Sequence, residues 1–185
     1  MMARFQKIAL SFSILIGFMA PSAWAVGVDL VGAGTYSMFT SNAFTPSSAF
    51  GYPGGGLVFN FRLGSKVDLS LGGLYLTSIS SVSGVNMTNK MVNGQLALRL
   101  KFTRSIFIDV GGYYNYLMSS DQSFTGNDYG VLGGLGIIIP LGQSVGFLIH
   151  PQYQYALANI VNGPVTVTQS QVVGMVGFTF GMGGK

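Results

Sequence analysis

The chain has no cysteine and no glutamate, a single histidine, a single tryptophan, and only 8% charged residues. Without cysteine there is no disulfide scaffold, no thiolate metal site and no lipid-modified N-terminal cysteine. A lone histidine has no second His or Cys with which to share a metal ion, so no cofactor or metal is expected. Ordinary soluble domains are about 25% charged, so this composition fits a membrane better than cytosol. The formal charge of +4 is small and sits partly in the N-terminal segment, which leaves no electrostatic footprint for nucleic acid. Beyond residue 25 the chain also lacks any run of the about 18 apolar residues that a membrane helix requires. If the mature chain spans a membrane, it does so with strands.

What is present begins with a leader. Arg4 and Lys7 form a basic end, Ile8 to Ala20 is apolar, and Ala23-Trp24-Ala25 supplies a small-x-small cleavage site. Residues 1–25 are therefore expected to be a cleaved secretory signal peptide and 26–185 a single exported domain. Counted from Val26, seven Lys or Arg stand against five Asp, which gives 7 − 5 = +2.

The exported part alternates. In 145–157, Val145, Phe147, Ile149, Pro151, Tyr153, Tyr155 and Leu157 occupy one face, while Gly146, Leu148, His150, Gln152, Gln154 and Ala156 occupy the other. Such a period of two marks a strand whose faces meet different environments. The pattern recurs over 57–63, 67–72, 95–102, 108–116 and 172–180, and less cleanly over 27–39 and 129–141. That makes eight strands of about ten or more residues, the length a tilted strand needs to cross a bilayer.

The connections alternate as well. Gly64-Ser65-Lys66, Thr103-Arg104-Ser105 and Gly142-Gln143-Ser144 are short, and their starts lie 39 residues apart. Longer polar stretches at roughly 40–52, 79–90, 119–127 and 159–168 separate them. Short turns at one end and long loops at the other predict an all-β fold, an eight-stranded antiparallel up-and-down transmembrane β-barrel. Propeller blades would need four short strands per repeat.

Charge decides which face is outside. Asp29, Arg62, Asp68, Arg99, Lys101, Asp109 and His150 all fall on the mixed face; on a lipid face each charge would cost about 2–4 kcal/mol at mid-depth. The apolar face must meet lipid, and the lumen of eight strands has room only for side chains. Aromatics agree. Tyr36, Tyr75, Tyr114, Tyr116, Tyr129, Tyr153 and Tyr155 lie toward the long-loop ends, whereas Phe59, Phe61, Phe102, Phe147, Phe178 and Phe180 lie toward the short turns. Two interfacial girdles result. Gly134-Leu135-Gly136 lacks a full dinucleotide fingerprint and reads as curvature or tight packing.

These features, with the closing strand "QVVGMVGFTF", resemble the small outer-membrane β-barrels of Gram-negative bacteria, the class of the OmpA transmembrane domain, OmpX and Ail. The resemblance implies export through the periplasm to the cell outer membrane, with outer-membrane lipids and lipopolysaccharide as surroundings. It also implies insertion by the barrel-assembly machinery, which recognises a terminal aromatic. Phe178 and Phe180 match that pattern, and Gly181 to Lys185 extend past it.

The ionisable residues offer little for catalysis. A lipid A deacylase of the PagL kind pairs His-x-Ser with Glu, but His150 is followed by Pro151-Gln152 and glutamate is absent. A palmitoyltransferase of the PagP kind would set His, Asp and Ser near the outer rim, whereas His150 lies well inside its strand. With Gln152 and Gln154, His150 is expected to be a polar lumen residue, because a general base needs a positioned partner. Asp29, Arg62, Asp68, Arg99, Lys101 and Asp109 all fall in the short-turn half. If each turn has three residues, Arg62 faces Asp68 and Arg99 faces Asp109. The expectation is a monomeric, non-enzymatic structural or surface-interaction protein with an ion-paired lumen. A lipid-modifying enzyme and a narrow small-solute channel are the alternatives, and no ligand of the loops is legible.

Overall fold

The computed structural model describes residues 26–41, 47–51, 53–82, 85–118, 127–158 and 167–181. The leader expected at 1–25, the loops predicted at 119–127 and 159–168 for most of their length, and the final 182–185 lie outside the described residues. Nine strands are described: β1 (Val26–Ser41), β2 (Ser47–Phe50), β3 (Gly54–Arg62), β4 (Val67–Val82), β5 (Val85–Lys101), β6 (Ile106–Leu117), β7 (Asp128–Pro140), β8 (Val145–Ala156) and β9 (Val167–Phe180). Each pairs antiparallel with its neighbours, and β1 pairs with β9 from Val28 opposite Phe180 to Ser41 opposite Val167, closing the ring. β2 and β3 both lie between β1 and β4. They are two pieces of one barrel strand, interrupted around Pro53, which cannot donate to a ladder. Eight staves therefore form a closed antiparallel barrel.

The structure corrects two loop boundaries. Of the stretch expected as a loop at 79–90, residues 79–82 and 85–90 continue the β4–β5 ladder, with Ile79 opposite Thr88 and Val82 opposite Val85. Its Ser, Thr and Asn residues read as loop, yet beyond an apolar band a strand needs only backbone pairing and no greasy outer face. Within the loop expected at 40–52, Ser47–Phe50 is strand, and Tyr36 packs its ring against Phe50 with centroids 4.7 Å apart.

Three turns set the register. The amides of Leu63 and Gly64 both donate to the Val67 carbonyl; Phe102 and Thr103 do the same to Ile106, and Leu141 and Gly142 to Val145. Each loop therefore holds three residues between paired positions. In the second, Thr103 Oγ1 also accepts from the amides of Ser105 and Ile106 at 3.1 and 3.0 Å, a hydroxyl standing in for backbone in a turn. Hairpin register follows from loop length, and Arg62 duly lies opposite Asp68 and Arg99 opposite Asp109.

The faces separate cleanly. In β8, Gly146, Leu148, His150, Gln152, Gln154 and Ala156 are all buried, whereas Ile149, Pro151, Tyr153 and Tyr155 are exposed. Tyr75, Tyr114, Tyr116, Tyr129, Tyr153 and Tyr155 are exposed on the outer face, as are Phe59, Phe102, Phe178 and Phe180; Tyr36, Phe61 and Phe147 are partly covered there. Tyr114 and Tyr129 stand directly opposite each other, and Phe147 meets Phe178 with centroids 5.8 Å apart. The Gly134 and Gly136 positions make room for lumen side chains. A Cβ at Gly136 would collide with the Phe107 ring, and one at Gly134 would meet Gln152 and His150 at 2.7 Å.

Candidate functional site

All the described buried charges but Asp128 gather at the short-turn half of the lumen. Arg99, from β5, donates through Nε and Nη2 to the two carboxylate oxygens of Asp109 on β6, at 3.1 and 3.2 Å. Its Nη1 donates to Asp29 Oδ2 at 3.1 Å. Asp29 belongs to β1, which does not pair with β5, so this contact crosses the lumen. A planar fork presenting separate donors suits two carboxylates at once. The guanidinium carbon also lies 3.9 Å from the centroid of the Phe107 ring, a further favourable contact for a desolvated cation. Asn60 Nδ2 donates to Asp29 Oδ2 at 3.0 Å, and Ser70 Oγ donates to Asn60 Oδ1 at 2.7 Å.

A second pair lies nearer the rim. Lys101 Nζ is 2.7 Å from Asp68 Oδ2, with the Lys101 side chain 23% exposed. Asp68 thus bonds to Lys101 rather than to Arg62, its partner in register. Arg62 ends β3 half-exposed, where water solvates a guanidinium and a surface pairing gains little.

His150 is buried on the same level. Its Nε2 lies 3.4 Å from Asp109 Oδ2 without forming an aligned hydrogen bond, and its ring meets Phe107 edge-on at 5.0 Å. The carboxylate beside it is already held by Arg99.

An apolar cluster that includes Phe107, Ile138, Leu148, Val31, Leu74, Leu76, Met91, Val173 and Met175 runs from the level of the charges toward the long-loop end. Beside it runs an amide chain: Gln171 Nε2 and Asn93 Nδ2 both donate to Gln154 Oε1, at 2.6 and 3.2 Å, and Asn93 also donates to Asn115 Oδ1 at 2.6 Å. Asn115 Nδ2 and the Tyr113 hydroxyl in turn donate to Asp128 Oδ2, at 3.0 and 3.1 Å. Gln152 is buried next to Gly134. Sequence reasoning missed Asp128 and Phe107. Parity could have found both, since Phe107 shares the face of Asp109, and Asp128 that of Leu132.

The described acids, Asp29, Asp68, Asp109 and Asp128, are all buried. Among the described residues, no three His, Cys, Asp or Glu side chains are placed to hold a metal ion.

No family model matches the sequence, and no curated protein matches it. Solved structures do match. The outer membrane protein OprG from Pseudomonas aeruginosa aligns over 85% of this chain and 95% of its own, at 17% identity and a TM-score of 0.59. Neisserial surface protein A aligns over 85% of this chain and 97% of its own, at 13% identity and a TM-score of 0.54. Likeness at these identities establishes architecture, and the architecture is that of the small eight-stranded outer-membrane barrels.

Proposed function

We propose that this eight-stranded barrel resides in the cell outer membrane as a structural or surface-interaction protein, with a lumen filled by its ion pairs and no catalytic role. The observation that carries this reading is the Arg99 bridge from Asp109 to Asp29. It ties together strands that do not neighbour one another and places desolvated, paired side chains where a pore or a substrate cleft would have to open. An eight-stranded interior is narrow enough for such side chains to fill. Function then falls to the surfaces, the lipid-facing wall and the segments at the long-loop end. Export through the periplasm, insertion by the barrel-assembly machinery and a monomeric state belong to the same reading.

The test uses two measurements on one protein. Expressed in a Gram-negative host, the chain should be recovered in the outer-membrane fraction with Val26 as its first residue. Purified and folded, it should release or transfer no acyl chain from lipopolysaccharide. Acyl turnover that disappears in His150→Ala would replace this reading with a lipid-modifying enzyme.

A further inference from the structure

The outer face carries glycines that the barrel's own packing does not demand. A Cβ placed on Gly73 or on Gly133 meets nothing within 4 Å, so no neighbouring atom keeps those positions bare. Across β3, β4 and β5 the bare backbone at Gly55 and Gly73 leaves a shallow apolar groove, open along the barrel wall. Its floor includes Gly55 and Gly73. Leu57 and Phe59 wall it on one side and Tyr75 and Val92 on the other, all four exposed. Register accounts for the shape, because Gly55 lies opposite Tyr75, and Gly73 lies between Leu57 and Gly94.

A cation stands above this groove. Lys90 is exposed two residues beyond Val92 on β5, about 7 Å further along the strand and on the same face. Tyr75 and Tyr116 both lie opposite Val92 in register, so Lys90 sits just past the tyrosine girdle, at headgroup depth. Among the described residues the other cations outside the deep lumen, Arg62, Lys66, Lys101 and Arg104, belong to the short-turn end. An apolar groove below one cation is complementary to an acyl chain below one anionic group.

We propose that this groove holds an acyl chain of lipopolysaccharide, with a lipid A phosphate on Lys90. The proposal rests on the outer-membrane reading above, in which the long-loop end faces the outer leaflet. An acyl chain gains no hydrophobic free energy by moving from lipid to a barrel wall, so affinity must come from close packing against glycine backbone and from the phosphate on the ammonium group.

The experiment is native mass spectrometry of the folded barrel equilibrated with purified lipopolysaccharide in detergent, with phosphatidylcholine as the neutral comparison. Four proteins are measured: wild type, Gly73→Leu, Gly133→Leu and Lys90→Gln, each first shown to be folded by heat-modifiable migration. Gly73→Leu and Gly133→Leu add the same side chain at equally open positions, but only the first fills the groove. Wild type should retain lipopolysaccharide in preference to phosphatidylcholine. Gly73→Leu should weaken retention about tenfold. Lys90→Gln should weaken it about fivefold, the factor equivalent to one basic residue at an anionic surface, and Gly133→Leu should leave it unchanged. Retention by Gly73→Leu equal to wild type, equal losses in both glycine variants, or equal retention of the neutral lipid would overturn the site. A wild type that binds no lipopolysaccharide yet still fractionates with the outer membrane would overturn the site alone and leave the proposed function standing.

Discussion

Arg99 and Asp109 face each other across β5 and β6 and are joined by two nitrogen–oxygen contacts of 3.1 and 3.2 Å, both side chains being almost completely buried. Removing either one strands the other charge away from water, at a cost of about 3–5 kcal/mol for a fully buried pair. Arg99→Leu and Asp109→Leu should therefore each lower the urea midpoint of the folded barrel. The double variant should recover part of the loss, and the thermodynamic cycle measures the coupling. Additive losses would show that the two do not interact. Arg99→Leu should cost more than Asp109→Leu, because it also strips Asp29 of its cation.

Lys101 and Asp68 should behave differently. Their contact is shorter, 2.7 Å, and Asp68 is buried, but the lysine is 23% exposed, so water reaches the pair from one side and its loss costs less than that of a fully buried pair. Lys101→Met should lower stability by less than a third of the Arg99→Leu loss in the same unfolding assay. An equal loss would place the Lys101 pair in the dry lumen with Arg99.

Gly136 is where the Phe107 ring rests. Gly136→Val should crowd that ring and destabilise the barrel by about 1–3 kcal/mol, as overpacking does. Combining it with Phe107→Ala should make the added valine far less costly, since the ring it collides with is gone. If the valine costs the same in both backgrounds, Gly136 is needed for some reason other than Phe107.

Closure of β1 on β9 leaves the barrel without an edge strand, so fraying has no starting point. Unheated protein should resist SDS and migrate differently from boiled protein. Mutations that disturb the β1–β9 seam, such as Leu30→Pro, should abolish the shift, because Leu30 pairs with both Leu57 and Phe178 and proline removes a ladder donor.

Much of this architecture was legible because barrel strands obey a strict period of two and the three tight turns share one length. Those facts alone put Arg99 opposite Asp109 and His150 on the inner face. They did not show that Arg99 would also reach Asp29, since that contact joins strands that never pair and depends on how the sheet curls shut. Nor did they show that Asp68 would prefer Lys101 to the Arg62 opposite it, because side chains at a rim choose by reach and hydration rather than by register. The ladder over 79–90 was hidden for another reason: polar side chains resemble a loop wherever backbone pairing continues without apolar support. Asp128 stood beside a polar stretch and so did not stand out as the acceptor for Tyr113 and Asn115.

The ion conductance of the folded protein in a planar lipid bilayer tests most directly whether the lumen is a filled core. Wild type should show no openings. The Arg99→Leu/Asp109→Leu double variant should stay closed too, because leucines take up the space that the ion pair leaves and the apolar cluster around Leu74, Met91 and Val173 still fills the lumen. Steady single-channel openings in the wild type, or openings that arise once the pair is removed, would contradict the account and make Arg99 and Asp109 the gate of a channel.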